Sequence, residues 1–169
     1  MELKKQRIWH YLLAFVGVIV GVLIDQATKY LAVEHLKDQE AFVIIRNVFQ
    51  LEYLENRGAA FGMLQNQRAF FMLSVVVITI VVIIFYLRVP MERKYLPLRI
   101  CATLLLAGAF GNCIDRLMLG YVVDFFYFKL IDFPVFNVAD IYVTVAVAVM
   151  IVLLFFYYKE EDLDRVFHS

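Results

Sequence analysis

The chain has 169 residues, 63% of them hydrophobic and only 19% charged, against about 25% charged in an ordinary soluble domain. A water-soluble globule this small cannot bury so many apolar side chains, so the bilayer is the expected solvent. Sixteen basic and sixteen acidic residues balance to zero, which leaves no basic excess for a nucleic-acid partner.

Lys4, Lys5 and Arg7 precede the first apolar run, Ile8 to Ile24. No small-x-small cleavage site follows, and the chain continues through Asp25 into LIDQATKY, so this run is a retained anchor spanning about 8–25. Phe42 to Ile45 is apolar, Arg46-Asn47 suits a turn, and Phe49, Leu51 and Tyr53 alternate with Gln50 and Glu52 as in a strand. With the small-residue segment NRGAAFGM, residues of about 41–62 are expected to form a small sheet, a cradle lying on the outer membrane surface. The second span is about 69–87, broken only by Ser74 and Thr79. The tip RVPMERKYLPLR carries Arg88, Arg93, Lys94 and Arg99 and leads to a third span of about 98–117. Cys101 and Cys113 lie inside that span as small buried hydrophobes. Ala107, Gly108 and Gly111, with Gly17 and Gly21 of the first span, favour close helix contacts within the molecule. The short segment 118–137 holds Phe125 to Phe128, expected at the membrane interface, and the fourth span is about 138–158. The tail KEEDLDRVFHS reads as a solvated end. The basic residues of the amino end and of the tip fall on one side, which places both termini in the cytoplasm. The fold expected is four transmembrane helices with a small outer β-sheet, a single integral-membrane domain over 1–169.

The polar residues gather at one end of this bundle. Asp25 ends the first span, Asn112, Asp115 and Arg116 end the third, Asn137 and Asp140 open the fourth, and Asn56 and Asp124 lie in the outer segments. A charged side chain within the membrane costs at least about 2.5 kcal/mol, so intramembrane ionisable groups usually face an interior and have a task. Any one of these residues could simply mark a helix end, but G-N-C-I-D-R is more than a helix end requires. Asp25 has Lys29 four residues on, Asp115 adjoins Arg116, and Asp132 follows Lys129 by three. Asp124 in VVDFF and Asp140 in VADIY have no such neutraliser. If they meet, burial and mutual repulsion raise at least one pKa, and two carboxylates sharing a proton is the arrangement of aspartic proteases. The only serines, Ser74 and Ser169, are badly placed for nucleophilic catalysis. Cys113 has no nearby histidine, and the scattered His10, His35 and His168 do not form a zinc site. On these residues alone, a small proton- or cation-conducting membrane protein remains an alternative, as does a non-catalytic subunit whose polar cluster docks a partner.

The motifs D-Q-A-T-K (25–29), N-R-G-A-A-F (56–61), G-N-C-I-D-R (111–116), V-V-D-F (122–125) and F-N-V-A-D (136–140), in this order across four spans, resemble those of the lipoprotein signal peptidases, signal peptidase II. The resemblance implies an aspartic endopeptidase of the bacterial cytoplasmic (inner) membrane, with its site at the extracytoplasmic face. It would remove the signal peptide from diacylglyceryl-modified prolipoproteins, just before the lipidated cysteine. It implies Asp124 and Asp140 as the catalytic pair, with Asp25, Lys29, Asn56, Gly58, Asn112, Asp115, Arg116 and Asn137 lining or supporting the site. It further implies no metal or cofactor, membrane lipid and lipid-modified prolipoproteins as partners, and inhibition by globomycin-like peptides; the small-residue faces, read as packing within the molecule, lead to the expectation of a monomer. One departure is Ile141, where many members carry a small hydroxyl residue.

Overall fold

The structure is a computed structural model that describes residues 2–58 and 67–167. Ala59, Ala60 and Phe61 of NRGAAF, and with them the end of the expected cradle, lie outside the described residues.

Among the described residues, four helices are long and apolar enough to cross a membrane, over Arg7–Leu36, Ala69–Arg88, Arg93–Met118 and Val138–Tyr157. The first of them, α1 (Glu2–Leu36), has 35 residues, a length of about 52 Å at 1.5 Å per residue. It therefore runs well past the expected stop at Asp25. The charges that suggested a stop do not end the helix, because Asp25 and Lys29 pair one turn apart on a buried face at 2.9 Å.

Beyond α1 the chain forms β1 (Phe42–Ile45) and β2 (Phe49–Asn56), an antiparallel pair. Asn47 takes the left-handed conformation in the turn between them, with φ 61°, a conformation that asparagine tolerates better than most residues. After α2 (Arg68–Arg88) and α3 (Leu96–Met118) comes β3 (Val122–Tyr127), which pairs antiparallel with β2 and completes a three-stranded sheet in the order β1-β2-β3. This third strand was not expected from the sequence. Val122, Val123, Asp124 and Phe125 are all buried, so the strand shows none of the alternation of a half-exposed one. Phe125 packs with Ala32 and Val123 under the sheet rather than standing at the lipid interface.

The fourth span begins as α4 (Val138–Val152) and continues as a π-helical turn over 153–157. α3 lies at the centre and packs against α1, α2 and α4. Small residues permit these contacts. A Cβ on Gly21 would stand 2.8 Å from Cβ of Ala107, and one on Gly108 would stand 2.5 Å from the carbonyl oxygen of Ala139. The glycines of α1 and α3 are thus consumed by packing within the chain.

At the opposite end the tail is structured rather than free. α5 (Glu160–Phe167) seats Val166, fully buried, in a cluster with Tyr95, Leu98 and Val89. Tyr158 stacks on Tyr95, the rings 5.4 Å apart and 5° from parallel, and Lys94 grips Asp162 at 2.6 Å. Leu163, Val166 and Phe167 share one face at helical spacing, a signal too short to stand out among six charged neighbours. Arg99 is buried too, donating to the carbonyl oxygens of Pro90 and Glu92.

Candidate active site

The site is assembled where α1, α3, β3 and the start of α4 meet. F-N-V-A-D builds its part locally. Asn137 is the N-cap of α4, its Oδ1 accepting the N–H of Asp140 at 3.0 Å, while Asp140 Oδ2 accepts the N–H of Asn137 at 3.1 Å. This reciprocal capping box satisfies two N–H groups of the helix start and fixes the Asp140 side chain. The amide of Asn137, fully buried, then reaches outward. Its Nδ2 donates to Asp124 Oδ1 at 2.6 Å and to Asn112 Oδ1 at 3.0 Å.

Each carboxylate has a second asparagine. Asn56 Nδ2 donates to Asp124 Oδ2 at 2.8 Å, and Asn112 Nδ2 donates to Asp140 Oδ1 at 2.8 Å. Among the described residues no cation stands within ion-pairing distance of either carboxylate. Burial, and after it the charge of Asp140, push the Asp124 carboxyl up from 3.8 to about 7, against the opposing hydrogen bonds from Asn56 and Asn137. Both carboxylates line one cavity of about 510 Å³. Its polar wall is Asn56, Gly58, Asn112 and Arg116, and its apolar wall includes Phe71 of α2, Phe133 to Phe136, and Ile141 and Val145 of α4.

A second layer of charge lies beneath. Lys29 is buried and bridges Asp25 at 2.9 Å and Asp115 at 3.1 Å, and also donates to Asn112 Oδ1 at 2.9 Å. The two carboxylates it neutralises hold backbone. Asp25 Oδ1 accepts the N–H of Ala139 at 2.9 Å, and Asp115 Oδ2 accepts the N–H of Val123 at 3.0 Å. Asp115 is therefore neutralised by Lys29 and not by its neighbour Arg116. Consecutive residues of a helix point in different directions, and the Arg116 guanidinium instead donates to the carbonyl of Gly58 at 3.1 Å and lies over the ring of Phe71 at 4.3 Å. Gly58 is buried, and its N–H donates to Asn56 Oδ1 at 3.0 Å, which orients the Asn56 amide toward Asp124. Asp132, the third acid with a nearby base in sequence, accepts from Tyr127 Oη at 2.5 Å, outside this network.

All ten residues singled out from the sequence thus fall within one connected network. Sequence reasoning missed Gln26, whose Nε2 donates to Asp115 Oδ1 at 2.9 Å and to the carbonyl of Gly111 at 3.1 Å. It stands inside the D-Q-A-T-K motif, but its amide carries no charge to mark it. Phe71 and Phe133 were missed because an apolar wall is indistinguishable in sequence from lipid-facing surface.

Residues 17–156 match the family model described as signal peptidase (SPase) II. The chain is 45% identical over 145 residues to a lipoprotein signal peptidase of Caldanaerobacter subterraneus subsp. tengcongensis, covering 85% of this chain and 97% of that one. It is 42% identical over 147 residues to a lipoprotein signal peptidase of Brevibacillus brevis, covering 87% and 95%. Among solved structures it is similar to a bacterial membrane enzyme determined by the in meso method, with a TM-score of 0.76 and 32% identity over 88% of this chain and 92% of the other. With that fold and match along nearly its whole length, this bacterial membrane protein belongs to the signal peptidase II family.

Proposed function

We propose that the chain carries out its family's cleavage, removal of the signal peptide from diacylglyceryl-modified prolipoproteins just before the lipidated cysteine, as an aspartic peptidase with Asp124 and Asp140 as its catalytic pair. The observation that carries this reading is the bridging amide of Asn137. It binds Asp124 directly and caps the helix turn that presents Asp140, so two carboxylates far apart in sequence face one cavity.

The roles follow from the environment. Asp124, with its carboxyl near 7, holds the shared proton, and Asp140 takes a proton from the attacking water. Asp124 passes its proton to the scissile carbonyl oxygen as the carbon becomes tetrahedral. On collapse Asp140 gives the acquired proton to the leaving amine, and Asp124 recovers its own from the hydroxyl. The cavity is polar beside the carboxylates and apolar toward Phe71, Ile141 and Val145. That division suits a substrate whose scissile bond lies at the interface while its lipid remains in the bilayer. Arg116 braces the Gly58 carbonyl and so positions the Asn56 donor.

The whole chain acts as one integral-membrane unit and as a monomer, in keeping with glycine faces already occupied by its own helices. Both termini lie in the cytoplasm and the carboxylates at the outer face, in keeping with Arg7, Arg88, Arg93 and Lys94 at the opposite end. A globomycin-like cyclic peptide would compete for the cavity. The test is cleavage of a diacylglyceryl-modified prolipoprotein by purified protein in detergent. Asp124→Asn and Asp140→Asn should each lower turnover by at least about 10³-fold, and substantial activity in either folded variant would refute the pairing.

A further inference from the structure

We propose that the cavity bounded by Arg7, Arg88 and Arg165, at the membrane face opposite Asp124 and Asp140, binds the phosphate headgroup of an anionic phospholipid. This cavity, about 720 Å³, lies between the start of α1, the end of α2 and α5, and the function proposed above makes no use of it.

Three observations commit it to lipid. The first is depth. Arg7 opens the first apolar span and Arg88 closes the second, so both guanidiniums stand at the boundary between hydrocarbon and water, where the phosphates of a bilayer lie. The second is charge. Asp164 is the one acidic residue in the lining, and Arg165 is already engaged with Glu92 and lies over the ring of Tyr95. Neither Arg7 nor Arg88 has an ion-pair partner among the described residues. Two planar guanidinium forks facing one hollow suit the geometry of phosphate oxygens. The third is continuity with apolar surface. Leu87, which also lines the cavity, is 56% exposed, and Ile84 one turn deeper is 46% exposed, giving an acyl chain a track directly below its headgroup. Basic pockets between membrane helices take anionic headgroups on these terms.

Trp9 is the only tryptophan of the chain and is exposed two residues from Arg7, so its quenching reads the lipid around this end of α1, and the arginine variants assign that signal to the cavity. The full chain is placed in phosphatidylcholine nanodiscs containing a few per cent of brominated phosphatidylglycerol or, separately, brominated phosphatidylcholine. The expected result is deeper quenching of Trp9 by the phosphatidylglycerol probe, weakened by salt. Each arginine should contribute about five-fold to that preference, so Arg7→Gln with Arg88→Gln should reduce it about 25-fold. Cleavage measured in pure phosphatidylcholine nanodiscs should stay at the wild-type level and shows that the double variant is folded. Equal quenching by the two probes in the wild type would overturn the proposal whatever the variants do, as would an undiminished preference in the double variant. Inorganic phosphate raising Tm in detergent as much as phosphatidylglycerol does at equal concentration would mark a free-anion site and also overturn the lipid assignment.

Discussion

Asp124→Asn should abolish cleavage and, above neutral pH, make the protein more stable. The carboxyl of Asp124 rises from 3.8 to about 7 on folding, so the folded state binds this proton more tightly than the unfolded state. Stability therefore falls as pH rises through this window, by about 1.4 kcal/mol per pH unit from about pH 4 to 7, and reaches a total of about 4 kcal/mol. Asparagine has the same shape and no charge, so the variant escapes that loss. It has a cost of its own. Both oxygens of Asp124 accept from amides, of Asn137 and Asn56, and an asparagine must turn its NH₂ toward one of those donors, at about 1–3 kcal/mol. A protonated aspartic acid avoids the clash, because its hydroxyl oxygen still accepts. Near pH 4 the variant should therefore be less stable than wild type by about 1–3 kcal/mol, and at pH 8 more stable by a similar amount. Thermal unfolding of both proteins in the same detergent at half-unit steps from pH 4 to 8 reads the crossing. A difference that does not change with pH would refute the burial-and-repulsion account of Asp124, whatever the loss of turnover.

Asn56→Ala removes a donor that favours the ionised form of Asp124, so the alkaline limb of the kcat/KM profile, expected near pH 7, should move to higher pH. Lys29→Met leaves Asp25 and Asp115 buried without their cation and should destabilise the protein by about 3–5 kcal/mol, read by thermal unfolding. Gly111→Ala would set a Cβ 2.5 Å from Asp25 Oδ2 and 3.2 Å from Cβ of Ala139, costing about 1–3 kcal/mol and lowering kcat together with Tm. Gly120→Ala meets nothing within 4 Å but imposes a φ of +84° on an alanine, so it should cost about 1–2 kcal/mol and leave kcat unchanged.

The spans were legible because about twenty consecutive apolar residues have few other uses. The polar residues of the site were legible for the converse reason, since Asp25, Asn112, Asp115, Arg116, Asn137 and Asp140 end or open such runs on one side and Asn56 and Asp124 lie in the segments that join them there. What could not be read depends on partners distant in sequence. β3 pairs with β2 across a separation of 66 residues at Asn56 and Val122, and its own residues, buried on both faces, carry no strand period. The extension of α1 past Asp25 was hidden by charges that seemed to end the helix, since only the folded structure puts Asp25, Lys29 and Asp115 together in the interior. The docking of α5 was obscured likewise, because its five charged residues outweigh the few that bury.

The buried group of Asp25, Lys29 and Asp115 poses an energetic question, since removing such charges from water costs more than their attraction commonly returns. Its position supplies an answer. Asp25 holds the N–H of Ala139, the residue before Asp140, and Asp115 holds the N–H of Val123, the residue before Asp124. One lysine thus fixes two carboxylates, and each of these pins the backbone one residue ahead of a proposed catalytic acid. Lys29 also binds Asn112, whose amide donates to Asp140, so the same cation steadies a side chain as well as two stretches of backbone. An apolar core of equal volume could hold α1, α3 and α4 together, but it offers no acceptor for those two N–H groups. A strand end and a helix start would then be free to shift by the fraction of an ångström that acid–base chemistry does not tolerate. The charge is buried where position matters more than stability.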